Sequence, residues 1–355
     1  MPTIDALRFA ALKVVTHDPR FASHTLADLD RYVLSTGYAG APQSYEQTRD
    51  LLYVYTANLR NAGGPGVNMH RFGSMVVGAL AEQIDDNRIV PLHLPDLARR
   101  CLAWLDTSGS LPLVRKDDAL YRKHLHALAD GQQPSVPFQR HLQSVIGFID
   151  LLNAEYGGRA DRYHASFSSD TARRDPARAV VTRLNELHHL PGIGVATGLN
   201  FMKDSQVPRF SSAQLVDMLS EPLAWFVKPD MHVLRLMLHV SGRYGRTGLP
   251  ARDLTFLKPV EAAQHYAELD ASAGWFHTTG KALSSYRPRS ERGLWTCVGD
   301  VHAWAAAEGA APLEIDRLLY MIGSGRYFDG VKIGMSQPQR YETLMQAIRG
   351  TADGL

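Results

Sequence analysis

Two short stretches of this chain combine residue types that can do chemistry. In Leu190-Pro191-Gly192-Ile193-Gly194 the two glycines lack a Cβ, so the backbone can come close to another surface and accept positive φ. Where a helix follows such a turn, its first amides point outward and form an anion site that needs no side chain. Further along, Asp230 follows Pro229 and precedes the apolar positions Met231, Leu234 and Leu238, the place of a helix N-cap. Capping alone accounts for such a residue. A carboxylate fixed by the first amides of its own helix is also preorganised and held ionised, able to face developing positive charge or to orient an attacking water.

Both stretches depend on helices to position them. Upstream of the glycines, Ala177, Val180, Val181, Leu184 and Leu187 fall at i, i+3, i+4, i+7 and i+10, one helical face, and residues 195–202 can form a second helix. The same reading predicts helices over 1–16 and 25–36. Ser44 with Gln47 then resembles a capping box for a helix carrying Leu51, Leu52, Val54, Tyr55 and Leu59. A break at Asn61-Ala62-Gly63-Gly64-Pro65-Gly66 follows, with a helix resuming over 72–81 and ending at Asp85-Asp86-Asn87. Further helices are expected over 91–105, 117–128, 136–156, 212–219, 259–270, 294–307 and, as the last clear element, 315–323. Strand patterns are scarce and there is no internal repeat, so the fold class is all-α.

Helix, Leu190-Pro191-Gly192-Ile193-Gly194, helix, followed in order by Asp230-Met231-His232-Val233-Leu234-Arg235, resembles the signature of the base-excision DNA glycosylases of the helix-hairpin-helix, endonuclease III-like superfamily. A lone Pro-Gly-x-Gly serves many corners between helices; the Asp-x-His-x-x-Arg pattern after it makes the likeness specific. The resemblance covers roughly residues 45–242. It implies two helical subdomains with an interdomain cleft. One would be a helical barrel over 45–207, ending in the helix-hairpin-helix at 190–202; the other, 1–44 with 208–355, would carry the catalytic aspartate.

The implied activity is excision of a damaged or modified base from double-stranded DNA, after the base has left the stack. The family's hairpin grips a phosphate through backbone amides, often with a bound monovalent cation. That implies DNA contacts at Pro191, Gly192, Ile193, Gly194, Thr197 and His189. Asp230 is the implied catalytic carboxylate, since glycosidic cleavage builds positive charge on the sugar and a fixed anion stabilises that state more than the ground state. Asn61, Asn68 and His70 are the candidates to fill the gap left by the flipped base.

Bifunctional members carry a lysine in the second hairpin helix, where it attacks the sugar. Ala196 stands at the matching position, so the resemblance implies a monofunctional enzyme with water as nucleophile. Lys203 and Lys228 are the alternatives for a displaced lysine and a bifunctional glycosylase/AP lyase. The span from Gly194 to Asp230 is longer than the family's, which leaves Asp217 and Asp204 as competing carboxylates. Alkylated, oxidised, deaminated and phage-type hypermodified bases are all open as substrates. The rival class is a non-catalytic helix-hairpin-helix DNA-binding protein.

The composition agrees with a globular chain: 355 residues, 45% hydrophobic and 21% charged. A formal net charge of +2 neither demands nor excludes nucleic acid. Arg159, Arg162, Arg173, Arg174, Arg178 and Arg183 form a local enrichment, interrupted by Asp161, Asp170 and Asp175. A solvated charged loop is the favoured reading, though its place before the hairpin suits phosphate contacts.

Cys101 and Cys297 are isolated, and no cysteine follows Cys297, so the iron–sulfur cluster of many relatives has no counterpart. His188, His189, His232 and His239 lack metal-ligand spacing. No cofactor is expected beyond the possible monovalent cation, and no metal held by side chains. The start of the chain lacks a signal peptide's basic opening, and no apolar run is long enough for a bilayer. A cytoplasmic monomer without a membrane partner is the expectation.

Overall fold

The structure, a computed structural model, describes residues 1–33, 47–61, 66–107, 115–166, 174, 176–206, 227, 231–240 and 289–352. They are mostly helical. The helices are α1 (Ile4–Thr16), α2 (Leu26–Val33), α3 (Thr48–Asn61), α4 (Gly66–Ala79), α5 (Leu94–Thr107), α6 (Arg115–Ala129), α7 (Pro137–Tyr156), α8 (Ala160–Ala165), α9 (Pro176–His188), α10 (Val195–Gln206), α11 (Met231–Val240), α12 (Arg289–Glu308), α13 (Pro312–Ser324) and α14 (Gln337–Ala352). Among the described residues the strands are β1 (Ile84–Asp85) and β2 (Arg88–Ile89), an antiparallel pair. Asp86 and Asn87 turn between them with φ of 45° and 59°. Two successive left-handed residues of these types make the turn that matches strand twist, so the stretch expected to end a helix is a hairpin.

The chain divides into two compact units. One comprises Pro42–Ser169 and Arg183–Ser205. Its core is built on α3, where every described side chain from Leu51 to Leu59 except Tyr53 is buried. The face of α7 made by Leu142, Val145, Phe148, Ile149 and Leu152 recurs at helical spacing and is wholly buried. Tyr55 stacks on Phe148 with centroids 4.0 Å apart, and Phe201 of α10 meets both rings edge-on. Gly157, with φ of 61°, ends α7, and the Gly158 amide returns to the Leu152 carbonyl at 2.8 Å.

The other unit comprises Met1–Ala41, Asp170–Thr182 and Gln206–Leu355. It is arranged around α13, which is buried on nearly every side and packs against α1, α2, α11, α12 and α14. A helix that carries Glu314, Asp316 and Arg317 at such depth needs partners for its charges. Arg8 of α1 donates from Nε to Glu314 Oε1 at 2.5 Å, and the Arg317 guanidinium lies over the Tyr32 ring, 4.8 Å from its centroid. The start of the chain is sewn to α12: Trp304 Nε1 donates to the Pro2 carbonyl at 2.7 Å, and the Ile4 amide to Glu308 Oε2 at 3.0 Å.

Three helices differ from the expectation, and one of them, α8, falls in a stretch where none was expected. The one expected to resume at residue 72 begins at Gly66, so the break after α3 is shorter than the run of turn residues implied. Beyond the helix expected to be last lies α14. It had a local signal, since the Ser336 amide and hydroxyl both donate to Gln339 Oε1, at 3.0 and 2.6 Å, which is half of a capping box. The helices expected over 212–219 and 259–270 lie outside the described residues.

Candidate functional site

The turn over residues 189–194 joins α9 to α10. The Leu190 amide donates to the Leu187 carbonyl at 3.0 Å, and the Ile193 amide to the Leu190 carbonyl at 3.2 Å. Leu190 and Ile193 are buried and anchor the turn, while His189 and Gly192 are exposed and Pro191, Gly194 and Thr197 are half-buried. Gly192 has φ of 83°, a conformation that L side chains rarely take. The Gly194 carbonyl accepts from the Gly198 amide at 2.9 Å, so Gly194 is the residue at which α10 starts. The amides of Val195, Ala196 and Thr197 then have no carbonyl one turn back within the helix, and they sit at its positive end.

Two further glycines, not singled out from the sequence, hold this turn in place. A Cβ on Gly198 would lie 2.7 Å from Leu184 Cδ2, so its absence lets α10 close against α9. A Cβ on Gly147 of α7 would lie 2.7 Å from Leu190 Cδ2, which seats the turn on that helix. A glycine inside an otherwise apolar helical pattern is the signal that could have found both. The structure also adds His141 of α7, whose Cδ2 would be 3.6 Å from a Cβ on Gly192. His141 thus comes up to the turn from another helix, and His189 stands in the turn itself.

The second stretch is read from α11. Asp230 lies outside the described residues, as do Asp217 and Lys228; Met231 opens the helix directly after Asp230. From Val233 to Leu238 every side chain of α11 is buried, Arg235 included. His232 meets the edge of Tyr320 on α13, with centroids 6.1 Å apart. His239 packs at 6.2 Å from Tyr341 on α14, and burial pushes its imidazole down. The helix is therefore gripped on several sides.

Lys203 and Asp204 are found in the core of the other unit. Asp204 Oδ2 accepts from Asn58 Nδ2 at 3.3 Å and from Asn200 Nδ2 at 3.2 Å, with Lys203 Nζ 3.8 Å from Asp204 Oδ1. Asn200 Nδ2 also donates to Asn58 Oδ1. Lys203 and Asp204 are 3% and 2% exposed, so neither presents its functional group to a sugar on the surface. The network ties α3 to α10, which a buried amide and carboxylate require if they are not to stay unsatisfied.

The candidates for the base gap do not come from one continuous loop. Asn61 closes α3, while Asn68 and His70 belong to the opening turns of α4. The basic stretch is redistributed as well. Arg159 pairs with Asp161 through Nε at 3.0 Å and donates to the Asp86 carbonyl at 3.2 Å. Arg183 is buried: its guanidinium lies 4.3 Å from the Tyr163 ring centroid and 4.6 Å from that of Tyr156, and Nη1 is 2.6 Å from Glu186 Oε2.

Among the described residues no group of three or more His, Cys, Asp or Glu is placed to hold a metal ion, and no helix is long and apolar enough to cross a membrane. Compared with family models, curated proteins and solved structures, the chain matches none.

Proposed function

We propose that this chain is a monofunctional DNA glycosylase that flips a damaged or modified base out of a duplex and releases it by hydrolysis. The observation that carries this reading is the turn at residues 189–194. It leaves Gly192 exposed and starts α10 at Gly194, and the first amides of a helix are the groups with which a phosphate site is built. The Asp230-x-His232-x-x-Arg235 pattern at the start of α11 supplies the chemistry. The carboxylate faces the positive charge that grows on the sugar as the glycosidic bond lengthens, and water completes the reaction. The burial of Lys203 supports water over an amine as the nucleophile.

The deciding experiment is incubation with a panel of duplexes carrying alkylated, oxidised, deaminated or hypermodified bases, followed by alkali to cut abasic sites. Strand breaks after alkali on at least one duplex, and none before it, are the expected result. Borohydride should trap no covalent adduct. A trapped adduct that disappears in Lys203→Ala would overturn the monofunctional mechanism. Binding without base release on every duplex would leave a DNA-binding protein in place of an enzyme.

The hairpin carries its own prediction. In Gly194→Val a branched side chain stands at the opening of α10 and holds a phosphate away from the amides. Losing one or two charge-assisted hydrogen bonds, each about 1.5–3 kcal/mol, lowers duplex affinity roughly tenfold or more on every sequence alike. Circular dichroism should be unchanged. Full affinity in the folded variant, measured by fluorescence anisotropy at several salt concentrations, would remove the hairpin from the interface.

A further inference from the structure

The helix α11 is approached closely by a glycine that lies outside the motif. The last turn of α13 meets the first turn of α11 where Gly323 faces His232. A Cβ on Gly323 would stand 2.7 Å from the His232 Cβ and 3.3 Å from both its Cα and its carbonyl oxygen. These are atoms fixed by the backbone, so no side-chain rotation can make room. Glycine is among the poorest helix formers, which means that local preference does not explain its place inside α13, whereas the close approach does.

The other side of Gly323 is fixed too. Arg340 of α14 donates from Nε to the Ile322 carbonyl at 2.6 Å, from Nη2 to the Gly323 carbonyl at 3.0 Å and from Nη1 to the Met335 carbonyl at 2.6 Å. Gly325, with φ of 67°, ends α13 beneath this guanidinium, and a Cβ there would lie 2.6 Å from Arg340 Cζ. A buried cation thus satisfies the carbonyls at the end of one helix and holds that end against the start of another.

We propose that Gly323 is a positioning residue: by letting the backbones of α13 and α11 touch, it sets the first turn of α11, the helix that carries His232 and Arg235 of the Asp-x-His-x-x-Arg motif. The inference rests on Asp230 being the catalytic carboxylate. Electrostatic stabilisation of a transition state depends on where the charge stands, and a displacement of about 1 Å can cost about a hundredfold in rate.

The test moves the Cβ across the contact. Gly323→Ala is compared with wild type, and the double variant Gly323→Ala/His232→Gly with His232→Gly alone, as a double-mutant cycle. Three quantities are read: amide hydrogen exchange over Met231–Val240, single-turnover base release, and duplex affinity. Gly323→Ala should speed exchange in α11 and slow base release about tenfold to a hundredfold, with affinity within about twofold. In the His232→Gly background the same substitution should change exchange and base release by less than about threefold, because the nearest clash is gone.

Unchanged exchange in Gly323→Ala, or an equal loss of rate in both backgrounds, would overturn the proposal. If Gly323→Ala does not fold, the double variant carries the comparison, and its failure to fold as well counts against the pairing. A wild-type protein that releases no base from any duplex sinks the glycosylase reading alone, since hydrogen exchange still decides whether Gly323 sets α11.

Discussion

On the proposed glycosylase reading, Asp230→Asn should lower single-turnover base release at least a hundredfold and leave duplex binding intact or slightly tighter. Asparagine matches aspartate in size and ranks with it as an N-cap, so the start of α11 keeps its stability to within a few tenths of a kcal/mol. What would be lost on that reading is the fixed negative charge opposite the developing oxocarbenium ion. Preorganised groups of this kind supply about 3 kcal/mol or more, which sets the hundredfold floor. Binding should hold, because a carboxylate would repel the phosphates and its removal would relieve that repulsion. The measurement is base release with enzyme in excess over a substrate found in the duplex panel. Full activity in Asp230→Asn would reduce Asp230 to a cap, and the search would turn to Asp217, because Asp204 is buried among Asn58, Asn200 and Lys203.

The second large effect is on stability. Arg183→Ala should cost about 3–5 kcal/mol, the range for removing one partner of a buried charged pair. Arg183 is 5% exposed and its guanidinium is shared among Glu186, the Tyr156 hydroxyl and the Ser166 hydroxyl, with tyrosine rings close by. Burial brings this guanidinium down to about 10, against the pull of Glu186. Burial likewise raises Glu186, with Arg183 opposing it. Each charge is thus held in place by the other, and alanine strands the carboxylate. Arg183→Lys should recover only part of the loss, since an ammonium cannot span the same acceptors with a planar fork. Urea unfolding followed by tryptophan fluorescence and circular dichroism gives the comparison. A cost below about 1 kcal/mol would show that the network contributes little.

These two residues mark the division between what sequence and tertiary structure each decide. Helices with an apolar stripe were legible because the stripe is a property of neighbouring residues. In α7, Leu142, Val145, Phe148, Ile149 and Leu152 recur at helical spacing and are all buried. The turn at 189–194 was legible for the same reason: Pro191, Gly192 and Gly194 restrict or free their own backbone whatever surrounds them. The helix that opens at Met231 was legible from Pro229 before it and the apolar spacing within it.

The fate of the charged groups was not legible. Arg183 stands in a run of arginines and aspartates that reads as a solvated surface, yet its partners Tyr156 and Ser166 come from α7 and the turn after α8. Lys203 and Asp204 read as a displaced lysine and a competing carboxylate, and only Asn58, 146 positions before Asp204, shows that they are core. Glu314 in α13 is answered by Arg8, 306 positions away. The sequence by itself determined where most of the described helices form, since propensity, capping and periodicity act within a few residues. Only the tertiary structure decided which charged residues are enclosed and which glycine lets α13 touch α11, because desolvation and close approach depend on atoms brought together from distant parts of the chain.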